Sequence, residues 1–273
     1  MIYYKTQEEI ELIRESCHLV CKTLAQVASM LQPGVTGTQL DKVAEDFIRS
    51  HNAVPAFKGY RGFPASLCIS INEAVVHGIP KKNELKEGDV VSIDCGVKMN
   101  GFCGDSAYSF VIGDISDTVM RMLVATNDSL YKAIDTAVIG KRIGDIGFAV
   151  QDYIERSCGY SVVRELVGHG LGRDMHEEPE VPNYGKRGQG TVLREGLVIA
   201  IEPMVNLGKK DVLQENDGWT IYAKDRLPSA HFEHTITITK EKADILSDHS
   251  FIEAAIVKNT NLRPIAISSV VLS

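Results

Sequence analysis

Tryptophan is nearly absent from this chain, with one in 273 residues, and proline is sparse, with nine; no low-complexity run argues for disorder. No stretch approaches the roughly 18 consecutive apolar residues of a membrane span, and the opening MIYYKTQEEIEL lacks the basic-then-apolar pattern of a secretory signal. An excess of positive charge is missing too. Twenty-nine lysines and arginines stand against 36 aspartates and glutamates, net −7, which leaves no global field to recruit nucleic acid or acidic lipid. The six cysteines show no CxxC spacing, and a chain of this length buries roughly three-quarters of its unfolded surface without disulfide staples. The expectation is a cytoplasmic protein with free thiols, no membrane contact and no direct nucleic-acid recognition.

What is present centres on Asp89 to Phe110, DVVSIDCGVKMNGFCGDSAYSF. Val90, Val91 and Ile93 have strand character, Asn100-Gly101 suits a tight type I′ turn, and Phe102 to Phe110 returns. A two-residue turn sets Met99 opposite Phe102 and Asp105 opposite Gly96, with Asp94 two residues along on the same face. Such a diagonal pair lies roughly 7–8 Å apart, within reach of one shared ion. On this stretch alone, chance acids on a solvated edge are the commoner outcome.

Earlier in the chain, Thr6 with Glu9 reads as a capping box before a long amphipathic helix ended by Pro33-Gly34. Thr38 with Asp41 marks the start of a second helix, and strands follow at Ser66–Ile71 and Asp89–Val97. The order then recurs: a helix over Asp117–Ile139 stopped by Gly140, and another carrying Ile146, Ala149, Val150, Tyr153 and Ile154. A shift of 106 residues carries Gly34 onto Gly140 and Leu40 onto Ile146, while LKEGDVVSIDCGV echoes LREGLVIAIEPMV at a shift of 108, setting Asp94 on Glu202. Beyond an insertion holding Trp219, His231–Thr239 alternates as one half-buried strand with Glu233 on its threonine side. The expected organisation is α+β: one catalytic domain over residues 1–250, with pseudo-repeats at about 7–110 and 113–247, and a tail over 251–273.

Each half therefore offers two carboxylates, Asp94 with Asp105 and Glu202 with Glu233, and the pseudo-twofold symmetry brings them towards one axis. Four converging carboxylates raise one another's pKa unless cations neutralise them. His169, between Gly168 and Gly170, is the candidate nitrogen ligand. One histidine with four acids suits Mn²⁺, Fe²⁺, Co²⁺ or a catalytic Zn²⁺ pair, and bridging carboxylates suit two ions that activate water for hydrolysis. His77 and His176 sit beside glycines and prolines, where a ring nitrogen could steady a carbonyl oxygen or an amide nitrogen. The remaining histidines read as core or surface residues, with an orienting role open for His231 and His234 beside Glu233.

The segments SLCISINEAVVHGIP, GDVVSIDCGVKMNGFCGDSA, VGHGLGRDMHEEP, AIEPMV, ENDGWT and FEHT resemble, in that order, the motifs of the type I methionine aminopeptidases over Thr6 to about Ser247. The resemblance implies the pita-bread fold, two α/β halves with antiparallel sheets around a dinuclear metal centre. It implies that Asp94, Asp105, His169, Glu202 and Glu233 bind two divalent ions (Co, Mn, Fe(II), Zn or Ni), with Asp105 and Glu233 bridging. It further implies removal of the initiator methionine from nascent polypeptides by attack of metal-activated hydroxide on the first peptide bond. Catalytic roles fall to His77 and His176, which hold substrate and stabilise the transition state, and to Glu202, which shuttles a proton. Tyr60, Phe63, Cys68, Met175 and Trp219 stand where the family lines its methionine pocket, and an apolar slot with a sulfur contact suits a thioether. A monomer is expected, with a ribosome contact left open. Two rivals share the fold: an X-Pro aminopeptidase or prolidase, and an inactive binding protein. The apolar tail from Ile252 to Ser273 outruns the pattern, and an extra strand, a partner contact or a disordered end would each suit it.

Overall fold

In the computed structural model, which describes residues 1–265, the Thr6 hydroxyl accepts the Glu9 amide and the Glu9 carboxylate accepts the Thr6 amide. Helix α1 (Gln7–Ala28) thus begins at the capping box expected of it. Helix α2 (Gly37–Ser50) is capped by Thr36 rather than Thr38, with Gln39 closing its box, because Thr36 is the residue still extended with its hydroxyl over the Gln39 amide. Strands β1 (Val54–Pro55), β2 (Leu67–Ile71) and β3 (Ala74–Val76) precede the long hairpin of β4 (Val90–Met99) and β5 (Phe102–Val111). Asn100 and Gly101 turn at φ +52° and +83°, both in the left-handed region that a two-residue I′ turn needs. Met99 pairs with Phe102 and Gly96 with Asp105, the expected register, while β2 adds Cys68 opposite Asp94.

The second half opens with α3 (Asp117–Thr136), which stops short of Ile139, and α4 (Ile143–Gln151), which continues as a π-helical turn over Asp152–Cys158. Strands β6 (Ser161–Val162), β7 (Gly168–Gly170), β8 (Glu177–Val181), β9 (Val198–Ile201) and β10 (Met204–Asn206) follow. A hairpin of β11 (Val212–Gln214) and β12 (Ile221–Ala223) carries Trp219 in its turn, before β13 (Ser229–His231), β14 (His234–Ile238) and β15 (Ala243–Ile245). Two main sheets result: β4 between β5 on one edge and β2 and β1 on the other, and β15-β14-β9-β7-β8. Their ladders are antiparallel.

His231–Thr239 is not one strand. It breaks at Phe232-Glu233, where β13 leaves β10 and β14 takes up β9. A chain crossing between sheets has backbone groups that neither sheet can pair. Here Phe232 donates its amide to the Pro203 carbonyl and Glu233 donates its own to Ala107 on β5, at 3.0 Å. The break therefore fastens Glu233 to the hairpin of the first half.

The segment after Ile252 also differs from expectation. Helix α5 (Ser250–Lys258) buries Ile252 and Ile256 and packs on α1. Its apolar residues recur at four-residue spacing, which suits a helix with one buried face better than a strand. Asn259 then donates its side-chain amide to the Ala28 and Leu31 carbonyls at the end of α1, 2.8 Å each, and Leu262 bridges Ile112. The remainder of the tail, 266–273, lies outside the described residues. Among the described residues no helix is long and apolar enough to cross a membrane.

Candidate metal centre and side-chain pocket

The hairpin presents Asp94 from β4 and Asp105 from β5; the other half presents His169 from β7, Glu202 just beyond β9, and Glu233 from the strand break. Ligand atoms of Asp105, His169 and Glu233 all lie within 4.8 Å of one another. His169 Nε2 is 3.6 Å from Asp105 Oδ2 and 3.7 Å from Glu202 Oε1. The other nitrogen, Nδ1, donates to the Gly170 carbonyl at 2.9 Å, which leaves the Nε2 lone pair facing the carboxylates. His231 Nε2 stands 3.5 Å from Glu202 Oε2 on the far side.

These carboxylates are buried without the partners that buried acids require. Asp94 Oδ1, Asp105 Oδ1 and Glu233 Oε1 are enclosed and accept no hydrogen bond. Burial pushes Asp94 and Glu202 up to about 7, tempered by the nearby His231 and His169 respectively. Asp105 and Glu233 are likewise held well above the usual carboxylate range, by burial first and then by the neighbouring carboxylates. An oxygen-rich set with one imidazole and orphaned oxygens is the donor chemistry a divalent cation takes, so the residues fit a metal centre.

His77 and His176 open onto the same cavity of about 180 Å³ as the four acids and His169 just described. Burial pushes His77 down to about 4 and His176 to about 3, helped by His231 in the first case and by His169 in the second, so both rings are neutral near pH 7. His176 Nδ1 lies 3.0 Å from the Tyr60 hydroxyl, and the two rings stack at 5.1 Å. His77 stands at φ +58°, a left-handed conformation that costs a branched or bulky residue energy and recurs at functional sites.

Tyr60, Phe63, Cys68 and Trp219 line this cavity, Trp219 meeting Phe63 edge-to-face at 5.1 Å. Asp217 holds the tryptophan's turn by accepting the Trp219 and Thr220 amides at 3.0 and 2.8 Å. Met175 is buried in the same apolar cluster, beside Phe57, where a Cβ on Gly96 would come within 2.9 Å of its Cε, and is not among the residues that line the cavity. Arg61, Val76, Leu166, Val167 and Met204 also line the cavity, and sequence reasoning passed over them. Val76 carried a signal, as the residue before His77; the others reach the cavity only through tertiary contacts.

Residues 11–240 match metallopeptidase family M24. The chain is 48% identical over 248 residues to the methionine aminopeptidase of Clostridium acetobutylicum, covering 90% of this chain and 99% of that protein. The crystal structure of methionine aminopeptidase from Rickettsia prowazekii superposes with a TM-score of 0.89 at 40% identity, covering 91% of this chain and all of that one. Against the Xaa-Pro dipeptidase from Bacillus anthracis the TM-score is 0.73 at 22% identity, with 62% of that chain covered, a likeness of fold. The pita-bread architecture, the buried carboxylate cluster and the close relatives agree: this chain is a metallopeptidase of family M24, in its methionine aminopeptidase branch.

Proposed function

We propose that the chain is a methionyl aminopeptidase that removes the N-terminal methionine of nascent polypeptides in the cytoplasm, acting as a monomer with two divalent ions. The observation that carries this reading is one cavity joining a buried, unpaired carboxylate cluster to an apolar pocket walled by Phe63, Cys68 and Trp219. Asp94, Asp105, His169, Glu202 and Glu233 would hold the ions, Asp105 and Glu233 being shared, and Mn, Fe(II), Co, Zn and Ni all suit the set. Bound there, such ions polarise the scissile carbonyl and lower the pKa of water.

The chain's own residues supply the rest. The apolar pocket takes an unbranched thioether side chain, with Cys68 as its soft contact. His176 Nδ1 is held by the Tyr60 hydroxyl at 3.0 Å, and in the tautomer that accepts there its Nε2–H would donate to a developing oxyanion. His77, neutral and lining the same cavity, would hold the amide that breaks. Glu202, a carboxylate lining the same cavity, would take a proton and return it to the departing amine.

The decisive experiment is hydrolysis of Met-Ala-Ser beside Ala-Ala-Ser and Ala-Pro-Ser by metal-stripped protein titrated with Mn²⁺ and Co²⁺. Metal-dependent, selective release of methionine is expected; cleavage of the proline peptide instead would move the chain to the prolidase side of the family. Asp105→Ala is expected to abolish methionine release even at saturating metal, and near-normal turnover would remove Asp105 from the site.

A further inference from the structure

A second buried cluster lies behind Glu233, and the metal site does not use it directly. His249, the residue that opens α5, is buried with Nε2 2.9 Å from Ser106 Oγ. Ser106 donates its single hydroxyl proton to the Glu233 carbonyl at 2.7 Å, so His249 Nε2–H must be the donor to Ser106. Burial pushes His249 down to about 3, which keeps the ring neutral with that one proton. His234 stacks on it, centroids 3.8 Å apart, and Tyr108 meets its edge at 5.2 Å. Ser247 accepts the Thr235 amide at 3.2 Å and is hydrogen-bonded to His234 Nδ1 at 2.6 Å, and His234 Nε2 lies 3.2 Å from the Tyr131 hydroxyl.

We propose that His249 is a positioning residue, whose Nε2–H, through Ser106, sets the place of Glu233 relative to Asp105. The inference rests on the reading above, in which those two carboxylates share an ion. Three hydrogen bonds tie their backbones: Glu233 N–H to Ala107 O at 3.0 Å, Thr235 Oγ1 to Asp105 O at 2.8 Å, and Ser106 Oγ to Glu233 O. The Ser106 hydroxyl is a rotor, and a donor on its lone pair is what directs its proton at Glu233. That donor arrives from outside the family match, which ends at residue 240. Ile252, Ile256 and the Asn259 bonds to the end of α1 hold the donor there.

The test is calorimetric titration of the metal-stripped full chain with Mn²⁺ alone, in wild type, His249→Phe, His249→Gln and Ser106→Ala, with kcat, KM for Met-Ala-Ser and the metal-free unfolding temperature alongside. Phenylalanine keeps the ring stack and removes the donor. It is expected to weaken Mn²⁺ binding at least about tenfold and lower kcat at unchanged KM, as loss of partners behind metal ligands does. Glutamine can donate to Ser106 and is expected to recover most of the affinity, while Ser106→Ala behaves as His249→Phe. Unchanged Mn²⁺ affinity in a folded His249→Phe protein, or glutamine no better than phenylalanine, overturns the positioning role while wild-type methionine release leaves the enzyme reading intact. Should His249→Phe fail to fold, Ser106→Ala decides: a comparable loss supports the role and wild-type affinity overturns it. Wild-type protein that binds no Mn²⁺ overturns both.

Discussion

Asp94 shows how a single side chain can be costly to the fold alone and useful with a cation. Its Oδ1 is enclosed without a partner while the residue is half-buried at the cavity wall, and its pKa is pushed from 3.8 up to about 7. A raised folded-state value means stability that is complete below the unfolded pKa and is lost as pH rises through about 7. The metal-free Asp94→Asn protein, which carries no charge to bury, is therefore expected to unfold about 5 °C above metal-free wild type at pH 8. The gap should close as pH falls towards 4, and saturating Mn²⁺ should reverse the order. Thermal unfolding with and without chelator across that range is the check, and a gap independent of pH would count against it. His77 makes the complementary point: its strained φ is invisible in a sequence that names only a histidine before glycine.

Among the elements, the pairing of α1 with β5 sets the accuracy of the hairpin. Gly104, one residue before Asp105, lets α1 lie on the strand backbone: a Cβ there would fall 2.4 Å from the Cys17 amide nitrogen. No flexible side chain can yield, so Gly104→Ala must move either the helix or the strand that carries Asp105. The expected cost is about 3 kcal/mol or more, roughly 6 °C in unfolding temperature, with metal affinity falling in parallel. Denaturation and Mn²⁺ titration of this one variant test both; a stable variant with wild-type affinity would show that α1 does not set the strand. Capping boxes, the I′ turn and the hairpin register were legible beforehand because each is decided within a few residues. The start of α2 was misplaced by two residues because Thr36-Gln39 and Thr38-Asp41 offer the same local chemistry, and only the backbone decides between them.

Over the whole molecule, two halves press four protonation-prone carboxylates into one cavity, so metal capture is coupled to proton loss. Binding at pH 6.5 is expected to release on the order of three protons per chain, fewer as pH rises, and apparent affinity should rise over the same interval. Calorimetry in buffers of different ionisation enthalpy reads that number directly, and a heat independent of buffer would contradict it. Sequence alone determined the hairpin, the echo that sets Asp94 on Glu202, the candidate ligands and the family resemblance, because spacing and residue chemistry suffice for each. Tertiary structure decided what depends on residues far apart in the chain. It split His231–Thr239 at Glu233, set Met175 beside Phe57 in the apolar cluster around the pocket, and brought His249 at the head of α5 up to Ser106. Those outcomes follow from which backbone groups a sheet leaves unpaired and which surfaces pack together, and no local pattern encodes either.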